Sequence, residues 1–195
     1  MAIYNTDSDA ANTAVRAYLT KVGELYRGSS FNTSHGTARV DWERIKQKVF
    51  SGCCAYCGKP TDKPTIEHLI MFNRAEFGLH HPGNIVPACS SCNSARRAKD
   101  GKYPSWEQHL KDICDANGDS AKYEERRIRI VKHHSEGEFA YPKLSSEEMS
   151  AIRVIAESIY ESVQLEIRKG LKLYEKLDDE FVGKSGSKVS RRSTS

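Results

Sequence analysis

Two cysteine pairs, Cys54-Ala-Tyr-Cys57 and Cys89-Ser-Ser-Cys92, constrain this chain more than any other feature. Two residues between cysteines let both thiolates reach one ion from a tight turn. Four such thiolates satisfy tetrahedral zinc at about 2.3 Å. Gly58, directly after Cys57, supports the first turn because glycine tolerates positive φ. Cys53 would leave three residues before Cys57, so Cys54 is assigned as the ligand and Cys53 as an unused neighbour. Cys114 falls on an apolar helix face and reads as a small buried hydrophobe. Structural zinc is chiefly a folding device for a small core and by itself specifies no activity.

The rest of the composition sets bounds. The chain has 195 residues, 38% of them hydrophobic and 29% charged, with a formal net charge of +4. That describes a polar chain with a modest core and a mild basic bias, compatible with nucleic acid without arguing for it. No stretch approaches the ~18 apolar residues of a membrane helix, so no membrane partner is expected. The first residues, MAIYNTDSDAAN, have neither a basic segment nor an apolar run, so the expected location is cytoplasmic, where paired cysteines point to metal rather than disulfides. Basic residues cluster at Arg96, Arg97, Lys99 and Lys102, at Arg126, Arg127, Arg129 and Lys132, and in the tail at Lys184, Lys188, Arg191 and Arg192. Each cluster reads either as a phosphate contact or as a solvated helix face.

Hydrophobic periodicity divides the chain into four parts. Residues 1–52 form an N-terminal helical region. In it one helix is capped by Asp7 or Ser8, and a short second helix is capped by Asp41, after a polar loop over 29–40. Residues 53–102 hold the cysteines and two short strand-like runs, Thr65 to Ile70 and Asn84 to Val86, after which the second pair opens a helix. Residues 103–182 read as helical, with capping boxes at Ser105/Gln108 and Ser145/Glu148. From Met149 to Tyr174 an apolar rhythm of three or four residues marks a long helix. Such a helix can project, pack across the domain, or pair with a second chain as a homodimer. Residues 183–195, rich in Gly, Ser, Lys and Arg, read as a disordered basic tail. The fold class is therefore α+β and mainly α-helical, with a small core stapled by a four-cysteine zinc site and flanked by helices.

Between the cysteine pairs stand Glu67-His68 and Asn84-Ile-Val-Pro-Ala-Cys89, with Asn93 following Cys92. Neighbours on a strand point to opposite faces, although twist or a bulge at its end can bring both to one site. Phosphodiester hydrolysis needs a base for water, a cation for the phosphate charge, and something to hold the base. His68 suits the base, with an ordinary pKa near 6.5. Glu67 and Asn93 offer oxygens of the kind Mg²⁺ or Mn²⁺ prefers, and Asn84 suits the orienting role. His80 and His81, in the loop Met71 to Gly83, read either as contacts to DNA or a metal or, in preference, as ordinary loop residues.

In this order, Cys-x-x-Cys, Glu-His, Asn-Ile-Val-Pro-Ala-Cys and Ser-Cys-Asn resemble the zinc-containing HNH endonucleases, whose fold is the ββα-metal motif. The resemblance covers roughly residues 53–99. It implies that His68 is the general base, that Asn84 positions the loop and the base, and that Glu67 and Asn93 bind a catalytic Mg²⁺ or Mn²⁺. It also implies that Cys54, Cys57, Cys89 and Cys92 hold structural zinc. Arg96 stands where members often have lysine and, with Arg97 and Lys99, is expected to contact DNA phosphates. Two departures are glutamate rather than aspartate before the base and a loop without the usual Gly-Gly. The function implied is DNA phosphodiester cleavage in restriction, defence or a phage setting. The alternative is a non-catalytic zinc module that binds nucleic acid or protein, which would have no need of His68, Asn84 and Asn93.

Overall fold

The computed structural model describes residues 6–96 and 102–185, with side chains to residue 181. Arg97, Lys99 and the tail residues Lys188, Arg191 and Arg192 lie outside the described residues. The architecture is mostly helical around one two-stranded antiparallel ribbon.

Helix α1 spans Asp7–Arg27. Its cap is Thr6, not Asp7 or Ser8: the Thr6 hydroxyl accepts from the Asp9 backbone and the Asp9 carboxylate accepts from the Thr6 backbone. Helix α2, Gly36–Arg44, starts five residues before the expected Asp41 cap and runs on through Ile45–Val49 in a wider π-type turn. The polar run over 29–40 concealed that start. Ala38, Trp42 and Ile45 bury one face, while Asp41 sits inside the helix and pairs with Arg27 of α1.

The ribbon pairs β1, Thr65–His68, with β2, Ile85–Ala88, in the register Thr65↔Ala88 to His68↔Ile85. β1 starts at Thr65 as read but stops at His68, and β2 is shifted from the run Asn84 to Val86, because Leu69, Ile70 and Asn84 belong to the turn-and-loop crossing that joins them. Helix α3 (Ser90–Ala95) is capped by Cys89, as expected from the second pair opening a helix, and Asn93 lies within it. Helices α4 (Trp106–Ala116) and α5 (Tyr123–Ser135) follow, α4 with its expected Ser105 cap. Helix α6 (Ser146–Ser185) has the full Ser145/Glu148 capping box and, at 40 residues, is about 60 Å long at 1.5 Å per residue.

Two apolar clusters organise these elements. The larger joins Phe31, Trp42, Phe50, Tyr56, Ile85 and Leu110, and so fastens α2, the cysteine turns, the ribbon and α4 together. The smaller joins Val15 and Leu19 of α1, Phe77 and Leu79 of the connecting loop, and Ile152 and Ala156 of α6. Each fully buried aliphatic side chain of this kind contributes about 1.5–3 kcal/mol. Helices α1 and α6 pack along one another, tied by Tyr26–Glu148 at one end and Arg168–Asp7 at the other. Beyond Arg168, α6 continues past the start of α1 with Leu171, Leu173 and Tyr174 exposed. Among the described residues no helix is long and apolar enough to cross a membrane.

The contact between α1 and the connecting loop is close. A Cβ on Gly23 would stand 2.4 Å from the His80 backbone oxygen. Ordinarily Gly→Ala inside a helix gains roughly 0.8–1 kcal/mol. Here overpacking, at about 1–3 kcal/mol, outweighs that gain. Gly23→Ala should therefore lower the melting temperature, and a melt showing a rise would mean that α1 and the loop are not held this tightly.

Candidate active site and metal centre

The metal-ligating set assembles first. The sulfurs of Cys54, Cys57, Cys89 and Cys92 lie within 4.8 Å of one another, the only such group of His, Cys, Asp or Glu among the described residues. Cys57 and Cys89, from different turns, have sulfurs 3.8 Å apart, and four bonds of about 2.3 Å in a tetrahedron give an edge of the same ~3.8 Å. The first turn is closed by Gly58, at φ 70°, donating to the Cys54 carbonyl, and by the Cys54 backbone donating to Lys59. The Ala55 amide donates to the Pro87 carbonyl and so fixes this turn on β2. Cys53 turns away and bonds to the Ser51 carbonyl.

Thiol chemistry supports a cation here. The hydrogen bond donated by Cys92 pulls the Cys54 thiol down to about 4, while burial pushes Cys57 up to about 11 and donating to Cys54 pushes Cys92 up. Four crowded thiols cannot all ionise on their own. A divalent ion removes that conflict, so the donor set fits zinc.

Asn84 is fully buried and spends its amide on the connecting loop. Its oxygen accepts from the Ile70 amide at 2.8 Å, and its nitrogen donates to the Ile70 and Leu79 carbonyls at 2.9 Å. Three bonds from one side chain close the loop directly after His68. Helix α5 clamps the same place: the His133 ring nitrogen donates to the Ile85 carbonyl at 3.0 Å and that of His134 to the Gly83 carbonyl at 2.9 Å.

Strand alternation then divides the residues grouped in the sequence. On the α3 side of β1, Thr65 accepts from the Asn93 amide at 2.8 Å and the buried Glu67 is paired with Arg96 at 2.9 Å. Burial pushes the Glu67 carboxyl up and the Arg96 guanidinium opposes it. On the other side, Ile66 and His68 line a cleft of about 510 Å³, walled by Thr20, Lys21 and Glu24 of α1. His68 stacks on Phe72, with ring centres 4.9 Å apart and planes 17° apart, and its Nε2 lies 3.0 Å from Nδ1 of His80. Burial, then His80 and Arg96, push His68 down to about 3, so the ring is neutral at neutral pH but a weaker base than the ordinary imidazole the sequence suggests.

Four expectations are thereby changed. Glu67 and His68 do not converge at the strand end, because β1 keeps regular register through His68. Arg96 does not reach outward to phosphate: it is 4% exposed, and its guanidinium also donates to the carbonyls of His68, Leu69 and Pro104. The second basic cluster is largely engaged as well. Arg126 bonds to the Tyr56 carbonyl and Asp119, Arg127 to Glu124, and Arg129 to Glu125. His80, read as an ordinary loop residue, stands in the cleft beside His68. No spacing signal marks it, since twelve residues and a loop separate the two in sequence.

The buried histidines predict a pH dependence of stability. Burial first, then Arg27 and neighbouring imidazoles, push His81 down to about 4, and burial pushes His133 down. Both take up protons on unfolding at pH values where the folded chain leaves them neutral. Their stabilisation is complete above the ordinary value near 6.5 and is lost as pH falls through the depressed folded values. Each contributes a slope of up to about 1.4 kcal/mol per pH unit in that window. Melts at pH 7.5, 6.0 and 5.0 should show falling stability, with a shallower slope in His133→Gln. An unchanged melting temperature from 7.5 to 5.0 would contradict this burial.

Residues 54–99, about a quarter of the chain, match the family model for HNH endonuclease. No curated protein and no solved structure matches the chain.

Proposed function

We propose that this chain is an endonuclease that hydrolyses DNA phosphodiester bonds, with His68 as general base and the four cysteines holding structural zinc. The observation that carries this reading is the setting of His68. It is an imidazole at the end of β1 that lines a cleft beside α1, with the following loop closed by Asn84 and the ribbon anchored on the cysteine cluster. A non-catalytic zinc module requires the anchor but not the imidazole in a cleft. The HNH match over the same residues supports nuclease chemistry.

His68 takes the proton of the attacking water, and Asn84 holds the backbone after it so that the imidazole does not wander. The resemblance also implies a Mg²⁺ or Mn²⁺ ion on Glu67 and Asn93, which would neutralise charge on the phosphate. The arrangement described does not fit that ion: Arg96 already compensates the one carboxylate, and Glu67 faces away from His68. The cleavage assay decides the requirement. Arg97 and Lys99, which follow α3 in the sequence, remain the proposed phosphate contacts. The exposed Leu171 and Tyr174 on α6 make its far end the proposed surface for a second copy of the chain.

Elemental analysis should find one zinc per chain. Cys89→Ala should unfold the central region, because metal binding there is folding free energy. A folded Cys89→Ala protein with wild-type metal content would overturn the zinc assignment.

The test of function is plasmid nicking in Mg²⁺, in Mn²⁺ and with EDTA, for wild type and His68→Ala. Removing a general base typically costs ~10²–10⁴ in rate. The expected result is nicking in at least one of the two metals, lost on His68→Ala while zinc content and DNA gel shift persist. Wild-type protein that shifts DNA but never nicks it would leave the binding module as the better description.

A further inference from the structure

The cleft beside His68 has a neighbour along α1. Asn12, Arg16, Thr20 and Glu24 stand four apart in this helix and so form one stripe of it. Thr20 and Glu24 wall the His68 cleft, and the Thr20 hydroxyl donates to the Arg16 carbonyl at 3.0 Å. Asn12 and Arg16 wall the next cavity, of about 460 Å³, which Asn73, Arg74, Tyr103 and Glu157 complete. The two spaces also adjoin on the loop side, where Phe72 lines the first and Asn73 the second.

The second cavity is rich in donors. Arg16 is exposed and gives one nitrogen to the Thr13 hydroxyl at 3.3 Å, and no carboxylate pairs with it among the described residues. The Asn73 side-chain oxygen already accepts from the Ala75 and Glu76 amides, each at 2.9 Å, so its NH₂ is what remains for a ligand. The Arg74 guanidinium lies 3.9 Å from the centre of the Tyr160 ring and gives Nη1 to Glu157 at 2.9 Å. That ion pair is open to solvent and therefore weak. Together with the ring it orients the Arg74 fork and leaves the other nitrogens for a second acceptor. Glu157 is the one acid of the lining, against two guanidinium groups. Such a set fits an oxyanion.

We propose that this cavity holds a backbone phosphate of the DNA strand that passes His68, with Arg16 and Arg74 as its cations and Tyr103 as a wall for the adjoining nucleotide. Continuity with the cleft is what selects a strand over a free anion. From Arg16 to Thr20 and Glu24 is about 6–12 Å at 1.5 Å per residue, and a DNA strand advances about 3.4 Å per phosphate. The phosphate held here is then about two to four nucleotides from the bond at His68. That position rests on the nuclease reading of His68, but the phosphate site itself does not. Tyr103 follows Lys102, the last residue of the first basic run. Asn12, Arg16 and Tyr103 all lie outside the stretch that matches the HNH family, so the site is a property of this chain's own flanking elements.

The experiment has two arms. The first uses the full chain with His68→Ala, so that DNA is not consumed, and reads duplex affinity by fluorescence anisotropy over a series of salt concentrations. Adding Arg16→Ala should lower the slope of log affinity against log salt by about 0.9 and weaken binding roughly five- to tenfold at about 0.1 M salt. Arg16→Gln, which keeps a donor without the charge, should do the same to the slope, and Arg16→Lys should restore it. Lys111→Ala, at an exposed lysine of α4 outside the cavity, controls for the loss of one charge and should leave the slope as it was. A slope unchanged by Arg16→Ala, or lowered equally by Lys111→Ala, overturns the proposal whether or not the protein cleaves DNA, as does a chain that binds no duplex. In the second arm, the wild-type chain nicks duplexes that carry one neutral methylphosphonate. Placed about two to four nucleotides from the nick, it should raise KM with kcat held, and should add nothing further in Arg16→Ala. Independent, additive effects of the two changes overturn the assignment of Arg16 to that phosphate. If the wild type binds duplex but never nicks it, the nuclease reading fails while the first arm still decides the phosphate site.

Discussion

The four sulfurs gathered within 4.8 Å are the constraint on which the rest of the architecture depends. They bring together turns separated by thirty residues of sequence, and those turns are fixed to the two strands and to α3. A core as small as this ribbon and its helix buries too little apolar surface to hold such an arrangement unaided. Once the turns are joined, Ala55 bonds to β2, Tyr56 packs edge-on against His109 of α4, and His109 bonds to the Cys92 carbonyl. The cysteine cluster is thereby continuous with the larger apolar core rather than an appendage to it.

The ribbon then acts as a partition. Period-two alternation sends Thr65 and Glu67 towards α3 and Ile66 and His68 towards α1. Each face has its own electrostatic solution. Towards α3 a buried carboxylate is matched by a buried guanidinium, whose remaining donors take up three carbonyls, so breaking the pair leaves a charge stranded in low dielectric. Towards α1 the polar groups are imidazoles kept neutral by burial. The first face is a structural joint, and the second retains open volume and a group able to accept a proton.

The flanking helices take part in that division. Helix α1 supplies a wall of the His68 cleft and is held there by α6, through a core of Val15, Leu19, Ile152 and Ala156. Helix α5 clamps the entry to β2 through His133 and His134. A change far from the cysteines, at Gly23 or in the α1–α6 seam, therefore reaches the cleft through packed side chains and backbone contacts.

The sequence by itself determined the cysteine set, the helical character of the flanks, the capping box of α6 and the presence of a histidine and two asparagines in an HNH-like order. These are short-range signals: fixed spacings, helical period and local cap chemistry act within a few residues. Tertiary structure decided what those residues face. Glu67 and His68 are adjacent in the chain yet separated by the ribbon, Arg96 turns inward because Glu67 and three carbonyls await it, and His80 meets His68 only because Asn84 closes the loop. None of these has a spacing signature, because each is set by the register of one strand against another and by which helix covers which face. That depends on burying apolar area across the whole chain, which no local stretch of sequence encodes.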